Sequence, residues 1–428
     1  MNRNAELLER RKKAVPQGLA SATPIFAAKA ENAELWDVNG RRYLDFAQGI
    51  AVCNTGHRHP RVIEAVTNQL GLFTHTAVQV VPYETYVALA ERLNALAPIE
   101  EETKTIFFTT GAEAVENAVK VARVYTGRPG VIAFRGGFHG RTALASALTG
   151  KIVPYRSGAG LPAHGVFHAP FPVPHHDVSV DDALGAIETL FRVDIEARDV
   201  AAIIIEPVQG EGGFYIAPKE FMRRLRALCD EQGILLIADE IQSGFARTGR
   251  YFAIEHYDVE PDLITVAKAL AGGFPLSGLI GRASVIDAPG PGGMGGTYGG
   301  SPVGCAAAHA VLDVIANEGL CKRSERIGAR IKERLEAMRV RTDLPPIGDI
   351  RGLGAMVAFE LVTERGGNTP DVATTARLVA QARENGLILL SCGYWGNTIR
   401  LLAPLTIPDA HLEEGFDIIE RSLSEIAG

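Results

Sequence analysis

The chain has 428 residues, 46% of them hydrophobic and 22% charged. That is ample apolar side chain for a large core and excludes a disordered chain. Its 43 Lys and Arg against 50 Asp and Glu give a net charge of −7 with no basic block, which argues against a nucleic-acid partner.

In chain order, Asn4 to Ala14 has the spacing of an amphipathic helix. "LWDVNGRRYLDFAQG" then places Asn39-Gly40 between two alternating runs, a hairpin signal. From Pro60 the pattern changes to helices, Pro60 to Leu70 and Tyr83 to Leu96, alternating with short apolar runs. "KTIFFTT" reads as a strand, "AEAVENAVKVARVYTG" as a helix ended by Gly127, and "PGVIAF" as the next strand. "VAAIIIEP", the helix "PKEFMRRLRALCDEQG", "ILLIADE" and "DLITVAKAL" follow. Continuous apolar strands separated by helices indicate an α/β fold whose mostly parallel sheet is covered on both faces. A charged helix from Leu320 to Val340 leads to "GAMVAFEL", "GLILLSCG" and "TIRLLAP". These describe a smaller α+β unit. We expect residues 56–320 to form the large domain, and 321–428 the small domain joined by segment 1–55.

Cys53, Cys229, Cys305, Cys321 and Cys392 are scattered with no C-x-x-C pair, so neither a disulfide framework nor a zinc site is expected. The longest apolar runs, Val200 to Ile205 and Ile234 to Ala238, are far short of the ~20 residues of a membrane helix. The N-terminus carries no signal peptide. A soluble cytoplasmic protein without a membrane partner is the expectation.

Three polar residues close three buried runs: Glu206, Asp239 and Lys268, at separations of 33 and 29 residues, each near the ~30 of one βαβ unit. Residues at the carboxyl ends of parallel strands converge on a ligand crevice. An acid and an amine therefore face one pocket, although spacing alone reads almost equally well as a salt bridge at a sheet edge. Thr110-Gly111-Ala112-Glu113 fits a capping box after a strand. The helix start it makes can hold a phosphate on free N–H groups, or be an ordinary cap. No G-x-x-x-x-G-K-[ST] is present, and "QGEGG" lacks the spaced glycines of a dinucleotide fingerprint and precedes no helix. A lysine, an upstream acid and a phosphate-binding helix start suit pyridoxal 5'-phosphate. In such sites the lysine holds the aldehyde as a Schiff base, and the carboxylate keeps the pyridine nitrogen protonated.

"LLIADEIQSGFARTGRYFAIEHYDVEPDLITVAKALAGGFPLSG" resembles the signature segment of the class III, fold-type I pyridoxal-phosphate aminotransferases. The likeness continues through "TTGAEAVENAVKVAR", "FRGGFHGRTALASALTG", "IIEPVQGEGGF" and "GGTYGGSPVGCAAA", and covers essentially the whole chain. Within the family it is greatest to the bacterial branch acting on 4-aminobutyrate, through "LDFAQGIAVCNTGHRHPRV", "THTAVQVVPYETYVALAERLNALAP" and "SCGYWGNTIRLLAPLTI".

The resemblance implies that Lys268 carries the cofactor and then acts as general base, and that Asp239 pairs with the pyridine nitrogen. Gly111 and Ala112 would give N–H groups to the phosphate, with Thr297 adding a hydroxyl from the neighbouring subunit, so a homodimer or dimer of dimers is implied. Phe138 would stack on the ring where many relatives carry Tyr, Gln242 would sit near the ring's 3'-oxygen, and Glu206 would order the site. For substrate, Arg141 would clamp the distal carboxylate and Arg400 the α-carboxylate of glutamate. Glu211 would pair with Arg400 when the donor has no α-carboxylate, and Ile50 would form an apolar wall. The pocket's shape around Val78 stays open. The implied reaction is ping-pong transfer from 4-aminobutyrate to 2-oxoglutarate. Alternative donors are 5-aminovalerate, β-alanine and its methylated analogues, N-acetylornithine and ornithine; a same-fold racemase or aminomutase is the alternative of another class.

His57 and His59 in "GHRHP" lack a third ligand at metal spacing and read as loop or helix-start residues, and "PHHD" at 174–177 as a solvated loop. No metal is expected. Cys53 and Cys305 read as small apolar packing groups.

Overall fold

The computed structural model describes residues 2–158 and 164–427. The helix Arg3–Ala14 forms as its pattern predicts, but none of its residues is buried. It is tethered by side chains instead: Asn4 donates to Asp37 Oδ2 at 2.7 Å and accepts from the Phe26 N–H at 2.9 Å. Strands β1 (Ala27–Glu31), β2 (Glu34–Asp37) and β3 (Arg42–Asp45) follow as an antiparallel meander. Asp37 Oδ1 accepts from the N–H groups of Asn39 and Arg41, and Gly40 supplies the positive φ of the Asn-Gly turn.

The next seven strands make one sheet: β4 (Thr103–Phe108), β5 (Gly130–Phe134), β6 (Val166–Ala169), β7 (Val200–Ile205), β8 (Leu235–Asp239), β9 (Leu263–Val266) and β10 (Ser277–Arg282). Their spatial order is β4-β10-β9-β8-β7-β5-β6. The β6-β5, β5-β7, β7-β8 and β8-β9 pairs are parallel, and β10 runs antiparallel to both its neighbours. The sheet is therefore mixed but mostly parallel, as the apolar runs predict. Successive residues of β7 enter different cores, Ile203 and Ile205 on one face, Ala202 and Ile204 on the other. Covering helices on both faces explain why the strands read as unbroken apolar runs rather than alternations. Each fully buried isoleucine contributes roughly 1.5–3 kcal/mol.

Beyond the 20-residue helix Leu320–Arg339 lie β11 (Ile347–Leu353), β12 (Met356–Leu361), β13 (Leu387–Ile388), β14 (Leu390–Cys392) and β15 (Thr398–Leu401). An antiparallel sheet of order β11-β12-β15-β14 is formed, and β12 and β15 are buried throughout. The two-residue β13 pairs in parallel with β3, so the beginning and the end of the chain share a sheet. Among the described residues no single helix is long and apolar enough to cross a membrane.

One segment takes a form not anticipated from sequence, and one local expectation is corrected. "QGEGG" folds into a one-turn helix, Gly210–Gly213. It is closely packed: a Cβ on Gly212 would lie 2.7 Å from the Gly136 carbonyl oxygen, which leaves room only for glycine there. "PHHD" is not a solvated loop. Its Pro174–His176 turn packs against the C-terminal sheet, and the His176 side chain is 9% exposed. No local pattern signals this, because the covering groups, Glu360 and Trp395, lie about 200 residues away.

Candidate active site

The carboxyl ends of β7, β8 and β9 deliver Glu206, Asp239 and Lys268 to the wall of one cavity of about 310 Å³. No ion pair joins Asp239 to Lys268 among the described residues, so the salt-bridge reading fails. Asp239 is held instead by His139, whose Nδ1 lies 2.7 Å from Oδ2, and by the Ile241 N–H, which donates to Oδ1 at 3.1 Å. Burial disfavours the charged imidazole of His139, yet the hydrogen bond and charge of Asp239 outweigh it and leave its pKa raised. Burial lifts the Glu206 carboxyl to about 7, against the pull of His139. Its oxygens accept from the Phe138 and Gly210 N–H groups, both at 2.8 Å. Glu206 therefore ties the ring-facing loop to the helical turn that carries Glu211.

Lys268 sits two residues past β9 at φ +46°, a left-handed conformation costly for a residue with a Cβ. Burial lowers its pKa, with Glu211, Glu206 and Asp239 opposing. A lowered ammonium pKa leaves more free amine, the form that attacks a carbonyl.

At the opposite end of the cavity, Thr110 caps the 16-residue helix Gly111–Thr126 through a full capping box with Glu113. The box consumes the N–H groups of Thr109, Thr110 and Glu113. Those of Gly111 and Ala112 have no protein acceptor among the described residues and point from a positive dipole end. Phe138 and Gln242 line the same cavity, and Gln242 Oε1 is buried without a partner.

A second constellation stands beside this wall. Arg400, on the buried strand β15, is 4% exposed and pairs directly with Glu211. Burial raises and Arg400 lowers the Glu211 pKa, and Arg400 wins; the guanidinium is held correspondingly above its usual value. Arg400 Nε stays buried with no partner, so the fork keeps a free donor. Tyr155 donates to Glu211 Oε2 at 3.0 Å, and its ring lies 4.8 Å from that of Phe138. Arg141 is exposed, makes no ion pair among the described residues, and rests over the Tyr155 ring at 4.8 Å.

Two expected residues stand apart. Thr297 is exposed on a glycine-rich loop, off the cavity wall of its own chain. Ile50 is 41% exposed at φ +66°, within four successive left-handed residues, Gln48 to Ala51, and Val52 lines the cavity in its stead. His139 and Tyr155 were not singled out from sequence. Both occupy loops without periodicity, and only the quoted "FHG" stretch carries a hint of the first.

The family model described as Aminotransferase class-III matches residues 17–423. The chain belongs to the class III aminotransferases. It is 55% identical to a 5-aminovalerate aminotransferase of Pseudomonas putida and 53% to a 4-aminobutyrate aminotransferase of Escherichia coli, each over 99% of both chains. It is also similar to the PLP-bound structure of an amine transaminase from an uncultivated Pseudomonas species, with TM-score 0.87 and 29% identity over 96% of this chain and 98% of that one.

This class III aminotransferase is thus a pyridoxal-phosphate-dependent transaminase of fold-type I, acting on amino-acid and keto-acid substrates. The cavity fits that cofactor on its own chemistry. Unsatisfied N–H groups at a helix start suit a dianionic phosphate. A buried carboxylate suits a pyridinium, and the partnerless Gln242 oxygen lies among the lining groups.

Proposed function

We propose that this transaminase takes the amino group from an ω-amino acid, 4-aminobutyrate first, and passes it to 2-oxoglutarate, releasing succinate semialdehyde and glutamate. The observation that carries the reading is the buried Glu211–Arg400 pair beside a second, unpaired arginine, Arg141. A donor such as 4-aminobutyrate has one carboxylate, far from its amine; glutamate has that one and another next to the amine. One site serving both needs a fixed distal clamp and a proximal clamp that can be turned off. Arg141 is the fixed clamp. Glu211 turns Arg400 off, because a desolvated guanidinium left alone would cost about 3–5 kcal/mol.

When bound, pyridoxal phosphate supplies the carbonyl that takes up the amine and a ring that delocalises the resulting electron pair. Lys268 Nζ would hold the cofactor's aldehyde, and it is the base placed to take a proton from the amine-bearing carbon of the substrate. Asp239, positioned by His139, keeps a proton at the pyridine nitrogen. Gly111 and Ala112 would hold the phosphate, Phe138 would pack against the ring, Gln242 would lie near its 3'-oxygen, and Glu206 would order the loops around them. Ile50 is retained as an apolar wall only for a bound substrate chain. Thr297 is assigned to the phosphate of a partner subunit, which makes the active unit at least a dimer. The exposed Val80, Val81 and Tyr298 beside it support such a face. On this reading residues 56–320 form the cofactor unit, and 1–55 with 321–428 the unit that brings Arg400.

5-Aminovalerate is the second reading, favoured by the Pseudomonas putida relative. The test is a panel of ω-amino acids offered with 2-oxoglutarate, glutamate formation being followed for each. 4-Aminobutyrate should give the highest kcat/KM. A large excess for 5-aminovalerate or N-acetylornithine would replace the donor while leaving the reaction class intact.

A further inference from the structure

We propose that His175, His176 and Glu360 form a zinc-binding site outside the active site, clipping the turn after β6 to strand β12. The three ligand atoms all lie within 4.8 Å of one another. His175 Nε2 is 3.8 Å and His176 Nε2 3.5 Å from Glu360 Oε2. Both are ion-pair distances too long for a good hydrogen bond, and both Nε2 atoms are buried without any hydrogen-bond partner among the described residues. Two imidazole nitrogens aimed at one carboxylate oxygen without bonding to it are an unfavourable use of buried polar groups. The spacing suits a shared cation: ligands about 2.1 Å from a tetrahedral metal stand roughly 3.4 Å from each other.

The surroundings orient the donors as metal sites require. Glu360 is fully buried; its Oε1 accepts from the Tyr215 hydroxyl at 2.5 Å and pairs with Arg351 at 2.9 Å, which leaves Oε2 to face the imidazoles. Asn397 Nδ2 reaches Oε2 at 3.4 Å. The His176 ring is fixed against Trp395, with centroids 4.0 Å apart, and edge-on to His175 at 4.8 Å. Such outer-shell contacts set ligand orientation in metal proteins. The His175 side chain is 30% exposed, so the cluster is reached from that side. Two imidazoles and one carboxylate favour zinc over magnesium or calcium, which prefer all-oxygen shells. Arg351 already neutralises part of the carboxylate charge, which weakens the site relative to an all-thiolate structural zinc centre.

The position gives the site a consequence. Ala358 on β12 pairs with Arg400 on β15, and Arg351 also donates to the Gly213 carbonyl beside Glu211 at 2.7 Å. Zinc there would stiffen the frame on which Glu211 and Arg400 meet, without touching substrate.

The experiment uses chelator-stripped holoenzyme titrated with zinc chloride against a chromophoric chelator, with cobalt(II) absorption as a second readout. One saturable site per chain is expected, with the intense visible bands of four-coordinate cobalt and no thiolate charge transfer. His175→Gln should weaken binding at least about 10-fold. Being partly exposed, that variant keeps the fold, checked by its retained cofactor absorption. Cys321→Ser should bind as wild type does. Absence of a saturable site in the wild type, undiminished binding in His175→Gln, or a thiolate band would overturn the proposal. His176→Gln should behave as His175→Gln; full wild-type affinity there would equally refute it.

Discussion

Tyr155 donates its hydroxyl to Glu211 Oε2 at 3.0 Å, on the carboxylate oxygen that Arg400 leaves free. The same ring lies beneath Arg141. One tyrosine therefore joins Arg141 to the Glu211–Arg400 pair. A hydrogen bond to a charged acceptor is worth about 1.5–3 kcal/mol. Tyr155→Phe keeps the ring and loses the bond, so Glu211 should hold Arg400 less firmly. We expect the 4-aminobutyrate half-reaction to slow about 10-fold and the glutamate half-reaction to change less. Single-turnover measurement of each half-reaction checks it; an equal effect on both would remove Tyr155 from the switch.

Glu211→Ser should act in the same direction and more strongly. Without Glu211, Arg400 is a buried cation with no partner whenever the donor lacks an α-carboxylate, while glutamate supplies that partner itself. The ~3–5 kcal/mol of an uncompensated buried charge sets a ceiling of about 10²–10⁴ on the selective loss for 4-aminobutyrate. Comparing kcat/KM for 4-aminobutyrate and glutamate in the variant gives the answer, and parallel losses would refute the switch.

Arg141→Lys should weaken every substrate with a distal carboxylate. The guanidinium matches a planar carboxylate with two bonds where an ammonium offers one point charge. A loss of about 10- to 100-fold in kcat/KM is expected, carried mainly by KM, with simple alkylamines unaffected. A substitution that left ω-amino acids and alkylamines equally active would move the distal clamp elsewhere.

The legible part of this site was what sits at the ends of buried strands. Glu206, Asp239 and Lys268 interrupt apolar runs at βαβ spacing, so their convergence follows from topology alone, and the capping box announces itself within four residues. His139 approaches Asp239 across 100 positions and Tyr155 approaches Glu211 across 56. No local pattern encodes either meeting. His176 looked solvated for the same reason, since the strand that buries it had no visible link to it in sequence. Ile50 is placed by resemblance alone, and in the structure it is exposed and off the cavity wall.

The buried carboxyl of Glu206 gives the last prediction, one of stability. Its folded pKa, about 7, stands above the ordinary carboxylate value of 4.5, so the folded chain binds this proton more tightly than the unfolded one. Stability from this group is thus fully present below pH 4.5 and is lost as pH rises through about 7. The contribution is about 3 kcal/mol at most, because His139 and Asp239 share the charge of the cluster. Glu206→Gln keeps the size and removes the titration. The cofactor-free variant should therefore gain on the wild type as pH is raised from 5 to 8, whatever the constant offset from its altered hydrogen bonds to Phe138 and Gly210. Denaturant unfolding of both proteins at several pH values between these limits measures the difference. A gap that stays flat would mean that Glu206 is already ionised in the folded protein, and that the Asp239–His139 pair alone carries the buried proton.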